Sequence, residues 1–304
     1  MPIIALILTC QCNFFMNILS EFARGLWFID PAFANQYFLM AHKIMSGDMM
    51  YQDSEINPLA NIPSLNNTCS NGQNLVSAYD VFVEPELIKQ SSLFLLNLSG
   101  AITKYDQFCG PSGTKTKSLW IKQADKHPNV FAHLIAVDSG GGSGYAANQF
   151  SETLKSLTKP VFCFVEGHAA SAAYWIAANC QHIAAGSQMD AVGSIGSYIT
   201  IADYSKWYLD QGIRLIEVYA SQSTDKNRDY LEAIQGNLAK LQEVSDKYCE
   251  FILDTVKENR LDAAKHYQHW ATGKMFFAPQ AKEIGLIDTI TPIDKYIESI
   301  FTIL

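Results

Sequence analysis

The chain has no excess of positive charge: 22 Lys and Arg stand against 30 Asp and Glu, a formal net charge of −8. A protein that neutralises a phosphate backbone needs the opposite balance, which excludes nucleic acid as a partner. It also lacks an ordered cysteine set. Cys10, Cys12, Cys69, Cys109, Cys163, Cys180 and Cys249 are odd in number and scattered, and Cys163 and Cys180 fall in apolar runs. Such cysteines read as reduced, buried thiols rather than a disulfide framework. No apolar run is long enough to span a bilayer, since Met1-Pro-Ile-Ile-Ala-Leu-Ile-Leu-Thr-Cys is short and lacks a basic flank. The Walker and dinucleotide fingerprints are absent, as is a Gly-x-Ser-x-Gly nucleophile elbow. His266 and His269 lie three apart on an expected helix, but no carboxylate or cysteine cluster completes a metal site. No metal and no cofactor is expected. The sequon Asn66-Asn67-Thr68 is a pattern short enough to arise by chance.

What is present is enough to bury a sizeable core: 304 residues, 48% of them hydrophobic. Apolar runs at 93–98, 133–137, 160–165, 182–185 and 213–219 read as strands alternating with helical segments, which makes the fold class α/β. Residues 1–15 read as a leader or a mis-assigned start, with Met16 a second possible beginning. Residues 16–50 read as a helical N-terminal extension. Residues 51–90, rich in Asn, Ser, Pro and Gln, read as a loop-rich arm, and residues 91–304 as the catalytic domain. A short helix is expected over 204–210. From 230 to 256, apolar residues at Leu231, Ile234, Leu238, Leu241, Val244, Tyr248 and Ile252 mark one face of a long helix, packed in the core or at a subunit interface.

The densest chemical signal is Glu166-Gly-His-Ala-Ala-Ser-Ala-Ala-Tyr-Trp175. The apolar run before it is an expected buried strand, and the alanines after Ser171 open an expected helix. A strand that turns into a helix through small residues sets the Ser171 hydroxyl where backbone N–H groups point outward. The same pattern also suits a plain N-cap serine in a tight crossing. Upstream, Asp138-Ser-Gly-Gly-Gly142 supplies a glycine run whose N–H groups are open to an oxyanion. Downstream come Val192-Gly-Ser-Ile-Gly196 and the polar loop Thr224-Asp-Lys-Asn227. His133, inside an apolar strand, reads as a satisfied core histidine, and His168 as a residue that packs or hydrogen-bonds at the turn. Ser194 shapes its turn and is not assigned to catalysis.

In this order the motifs resemble the signal peptide peptidase A family of serine peptidases, and Gly273-Lys-Met-Phe-Phe-Ala-Pro-Gln-Ala-Lys-Glu-Ile-Gly-Leu-Ile-Asp288 is similar to that family's C-terminal signature. The resemblance runs over residues 93–290. It implies a Clp protease/crotonase-like fold with repeated β-β-α units and a Ser–Lys dyad. By it, Ser171 is the nucleophile and Lys226 the general base. Gly141 and Gly142 are oxyanion N–H donors, with Ala172 beside them. Two departures stand out: Asp138 and Gly140 replace an Asn and a Pro of the family pattern, and Ala172 and Ala173 replace two glycines. Ser171 and Lys226 lie far apart in sequence, so either the fold of one chain or a neighbouring subunit must join them.

A lysine is normally charged and useless as a base; lowering its pKa by ~3 units corresponds to roughly 4 kcal/mol of differential solvation. Asp225 beside Lys226 would oppose that shift, so its side chain is expected to point away. The resemblance further implies a peptide or protein substrate, a narrow pocket for small apolar side chains and a homo-oligomer. It points to soluble phage-type members related to phage capsid protein C, which places the chain in the cytoplasm of a bacterial host or in a prohead. Two other classes compete. A crotonase-like acyl-CoA enzyme would use the glycine loop without Lys226, and a non-catalytic capsid or scaffold component would keep the fold alone.

Overall fold

Strands buried on both faces need continuous apolar runs, and the chain supplies them in sequence order. The computed structural model describes residues 27–29, 73–107, 110–201 and 203–303. Its eight-stranded sheet has the order β10(Thr289–Ile290), β7(His182–Ala185), β6(Val161–Ala170), β4(Val130–Ser139), β3(Ser92–Ser99), β2(Asn74–Val76), all parallel. β8(Ala191–Gly193) pairs in parallel with the end of β6, and β9(Met275–Phe277) runs antiparallel to β8. The class is therefore α/β with a parallel sheet, as expected.

Alternation along the strands sends side chains to two cores. Phe94, Leu96 and Leu98 of β3, with Ile135 and Val137 of β4 and Cys163 and Val165 of β6, face the larger one. Leu93, Leu134, Phe162 and Phe164 face the other, where α8(Ile293–Ile303) covers them with Tyr296, Ile297 and Ile300. Each fully buried side chain of this size contributes about 1.5–3 kcal/mol relative to exposure. The larger core takes residues from α2(Thr114–Lys126), α3(Gly144–Lys155) and α4(Ala172–Ala177).

Four of the five expected strands form. The fifth does not: residues 213–219 make no strand, and Ile216 and Val218 are 78% and 91% exposed. The run has strand-like apolar content but finds no edge to join. The long helix expected over 230–256 is two helices, α6(Arg228–Ile234) and α7(Ala239–Asn259), separated at Gly236 with φ 92. Leu238, placed on the apolar face by its spacing, is exposed, whereas Ile252, Thr255 and Val256 carry α7 into the core. The helix over 204–210 forms as α5(Ser205–Asp210).

Two further elements differ from expectation. Within the extension expected to be helical, Trp27–Ile29 form a strand, β1, paired antiparallel with β5(Gly141–Ser143). Aromatic and β-branched residues favour that geometry. In the expected arm, β2 joins the sheet edge and α1(Ala78–Val83) follows it. The remainder of the extension and of the arm, residues 1–15 and the Asn66 sequon lie outside the described residues.

Candidate active site

Ser171 sits where β6 ends and α4 begins, as the N-cap of that helix. Its backbone has φ 56 and ψ −117. For a residue with a Cβ this is a sparsely populated conformation, costing about 1–3 kcal/mol and kept only where the surroundings enforce it. The enforcing contacts are visible. The Ser171 N–H donates to the Gly193 carbonyl at 2.8 Å, continuing the β6–β8 register from the Ala170–Gly193 pair. The Ser171 carbonyl accepts the Trp175 N–H at 2.9 Å, closing the first turn of α4. Ala169, Ala170, Ala172 and Ala173 are fully buried around it, so no larger side chain fits the crossing. The serine itself is 2% exposed, and among the described residues its hydroxyl has no hydrogen-bond partner.

The glycine segment lies against this turn. β5, Gly141–Ser143, packs on α4, bringing together Ser171, Ala172 and the expected donor loop. Ser139, fully buried, fixes that loop from below: its Oγ donates to the Gly100 carbonyl and accepts the Gly141 N–H at 3.1 Å. The Gly141 amide is thus engaged within the loop. Ile102 takes the other polar groups on the same edge, donating to the Gly141 carbonyl (2.9 Å) and accepting from the Ser143 N–H (2.8 Å). Gly142 is held so close to Ile102 that a Cβ would stand 2.3 Å from its carbonyl oxygen. Its own N–H and C=O project to the opposite edge, since backbone groups alternate along an extended strand. Ala172 opens α4, and first-turn N–H groups have no partner within a helix.

Lys226 is not brought to Ser171. It lies exposed in the turn before α6, and no hydrogen bond or ion pair engages its amine among the described residues. The Asp225 carboxylate turns to Thr224 (3.3 Å) and towards Arg228 (3.9 Å) rather than to Lys226. Burial disfavours the charge of another lysine. Lys117 of α2 is buried, which pushes its pKa down to about 8 against the pull of Asp106, and its amine donates to the Asn97 carbonyl at 2.8 Å.

Two residues shape the site in roles that the sequence did not assign to them. Asp138 accepts the His168 N–H at 3.1 Å, and its Oδ1 lies 3.8 Å from His168 Nδ1, tying the end of β4 to the approach to Ser171. Asp190 accepts the N–H groups of Gly186 (2.7 Å) and Ser187 (2.9 Å), and its carbonyl accepts from Ala278 (2.7 Å), fixing the turn into β8. The Ser187–Asp190 spacing is that of a side-chain-capped turn, a signal available in the sequence. His133 is wholly buried, with Nε2 3.1 Å from Asp125 Oδ1. The His266 and His269 rings lie tilted at 35° with centroids 5.9 Å apart, and no third metal donor joins them among the described residues. Cys163 and Cys180 are free and buried.

A strand-to-helix turn is a place where a fold can hold a nucleophilic hydroxyl, although the Gly-x-Ser-x-Gly elbow is absent here. Residues 153–301, the segment that carries Ser171, match the Peptidase family S49 model. A protein of Methanocaldococcus jannaschii named as a protease is 28% identical over 173 residues, 56% of this chain and 55% of that protein. Protease 4 of Salmonella typhi is 25% identical over 228 residues, 74% of this chain and 36% of that protein. The chain thus spans about half of the first relative and about a third of the second. Among solved structures, the 1510-N membrane-bound stomatin-specific protease is similar at TM-score 0.43 and 17% identity, over 70% of this chain and 80% of that one. ClpP1 of Listeria monocytogenes is similar at TM-score 0.42 and 13% identity, over 65% and 91%. No helix among the described residues is long and apolar enough to cross a membrane.

Proposed function

We propose that the chain is a serine endopeptidase in which Ser171 is acylated and Lys226 is the general base. The observation that carries this reading is the enforced backbone of Ser171 at the end of β6, which holds a hydroxyl at a turn lined by small residues. In the reaction, the Ser171 Oγ attacks the scissile carbonyl while a neutral lysine amine takes its proton. The oxyanion is met by backbone N–H groups, for which Ala172 and Gly142 are the candidates, the Gly141 N–H being taken by Ser139. The lysine returns the proton to the leaving amine, and water, activated by the same amine, hydrolyses the ester to free Ser171.

Lys226 reaches Ser171, in this reading, from a second copy of the chain. Desolvation is what turns a lysine into a base. The segment 204–219 just before it bears Tyr204, Trp207, Leu209, Ile213, Leu215 and Val218 in solvent. Covering these residues with a neighbouring copy would bury apolar surface and desolvate the Lys226 turn in one step. The substrate is a peptide or protein, and phage head maturation is the setting we infer for it. The buried alanines around Ser171 favour small apolar side chains before the scissile bond.

Mixing two inactive variants tests the reading. Ser171→Ala and Lys226→Ala are each expected to lack peptidase activity, and an equimolar mixture is expected to regain about a quarter of it, the statistical share of sites pairing two intact partners. A full-length monomer with complete activity by light scattering would overturn the shared site. Full activity in Lys226→Ala would remove the base assignment.

A further inference from the structure

The glycine segment beside Ser171 has an outer edge, and the chain itself occupies it. The inner edge of β5 is engaged by Ile102, which bonds Gly141 and Ser143. The outer edge, towards which the Gly142 N–H and C=O project, is lined by β1 in antiparallel register: Trp27 opposite Ser143, Phe28 opposite Gly142 and Ile29 opposite Gly141. β1 has no other strand partner among the described residues, so the pair is a two-stranded ribbon only three residues long. Such a ribbon is marginal by itself, and any extended backbone of the same polarity can replace one of its strands. More than a hundred residues of sequence separate the two strands, so their pairing is a tertiary contact and not a hairpin. An edge with Ser143 as its one side chain recognises backbone rather than sequence.

We propose that residues 27–29 act as an internal competitor, holding the outer edge of Gly141–Ser143 against extended peptides that approach Ser171. The inference rests on Ser171 being the acylated residue. It adds that the chain carries its own occluding strand, and that a substrate must displace β1 before its backbone can lie along β5.

The test uses the full chain, wild type and Phe28→Pro, because proline removes the N–H that faces Gly142 and cannot sit in a paired position. Hydrogen exchange of the segment holding Gly142 is expected to be slow in the wild type and about tenfold faster in Phe28→Pro. A synthetic peptide with the sequence of residues 25–31 is expected to restore slow exchange in the variant. Phe28→Gly, which weakens the strand and keeps the donor, is expected to exchange at an intermediate rate, and it replaces the proline variant if that one loses its thermal transition. Equal exchange in wild type and variants overturns the proposal. With a reporter peptide, the variants are expected to show a KM several-fold lower at unchanged kcat. An unchanged KM overturns the competition. If neither wild type nor variant cleaves peptide or labels at Ser171, the peptidase reading has failed, while exchange still decides whether β1 covers β5.

Discussion

The Ser171 N–H donates to the Gly193 carbonyl at 2.8 Å, and this bond anchors the strained turn to the one neighbouring strand that reaches beyond the end of β6. β8 pairs with His168, Ala169 and Ala170 and nothing further along β6. The end of β8, which also carries β9, thus fixes the backbone of Ser171.

The strain at Ser171 has a measurable sign. Glycine adopts φ 56 without a Cβ penalty, whereas alanine keeps it. Ser171→Gly is expected to be more stable than Ser171→Ala by about 1 kcal/mol in denaturant titrations, with both variants lacking acylation by an active-site probe. Equal stability of the two variants would show that the backbone is not under strain.

The strands were legible because burial on both faces imposes continuous apolar runs, as in Leu93 to Leu96 and Val161 to Val165. Ser171 was legible through its alanines, since only small residues permit the crossing. Its strain was not, because φ is set by the Gly193 and Trp175 bonds and not by local composition. The 213–219 run was misread for a physical reason: an apolar pattern states that a segment wants cover, and cannot state whether the cover lies in the same chain. The helix over 230–256 was misread because apolar spacing continues across Gly236, whose positive φ ends the helix. The buried Lys117 was invisible, since its charged end reaches a backbone carbonyl and no sequence pattern marks that contact.

Gly142 has no room for a side chain. A Cβ there would stand 2.3 Å from the Ile102 oxygen and 2.6 Å from its nitrogen, both backbone atoms that cannot rotate aside. Gly142→Ala is expected to cost about 2–4 kcal/mol by pushing β5 off Ile102. It should also lower kcat at least tenfold in the molecules that still fold, read from activity normalised to the folded fraction. A variant with native stability would mean that the contact between β5 and Ile102 is loose.

Asp138 is expected to act through its acceptor oxygen and not through its charge. It receives the His168 N–H three residues before Ser171. Asp138→Asn keeps an acceptor there and is expected to hold kcat within about twofold. Asp138→Ala leaves that N–H without this partner, a loss of about 1 kcal/mol in fixing the turn, and is expected to lower kcat several-fold with KM little changed. Equal activity of the two variants would show that the tie does not position Ser171.

Acid sensitivity should come from a group outside the site. Burial, opposed by the Asp125 hydrogen bond, pushes the pKa of His133 down to about 4. Asp125 feels burial in the opposite sense, but the N–H of Thr158, His133 and the N–H of Lys159 together hold its carboxyl below the usual range. The folded protein thus keeps His133 neutral where the unfolded chain, with a histidine near ~6.5, already binds a proton. Stability is therefore full above the unfolded value and falls as pH drops towards the folded one. Between about pH 7 and pH 4 the wild type is expected to lose about 3 kcal/mol from this residue alone, since each pKa unit corresponds to about 1.4 kcal/mol. His133→Gln retains a donor for Asp125 and removes the titration, so its stability should fall by that much less over the same range. Parallel pH profiles for the two proteins would show that His133 does not carry the acid response.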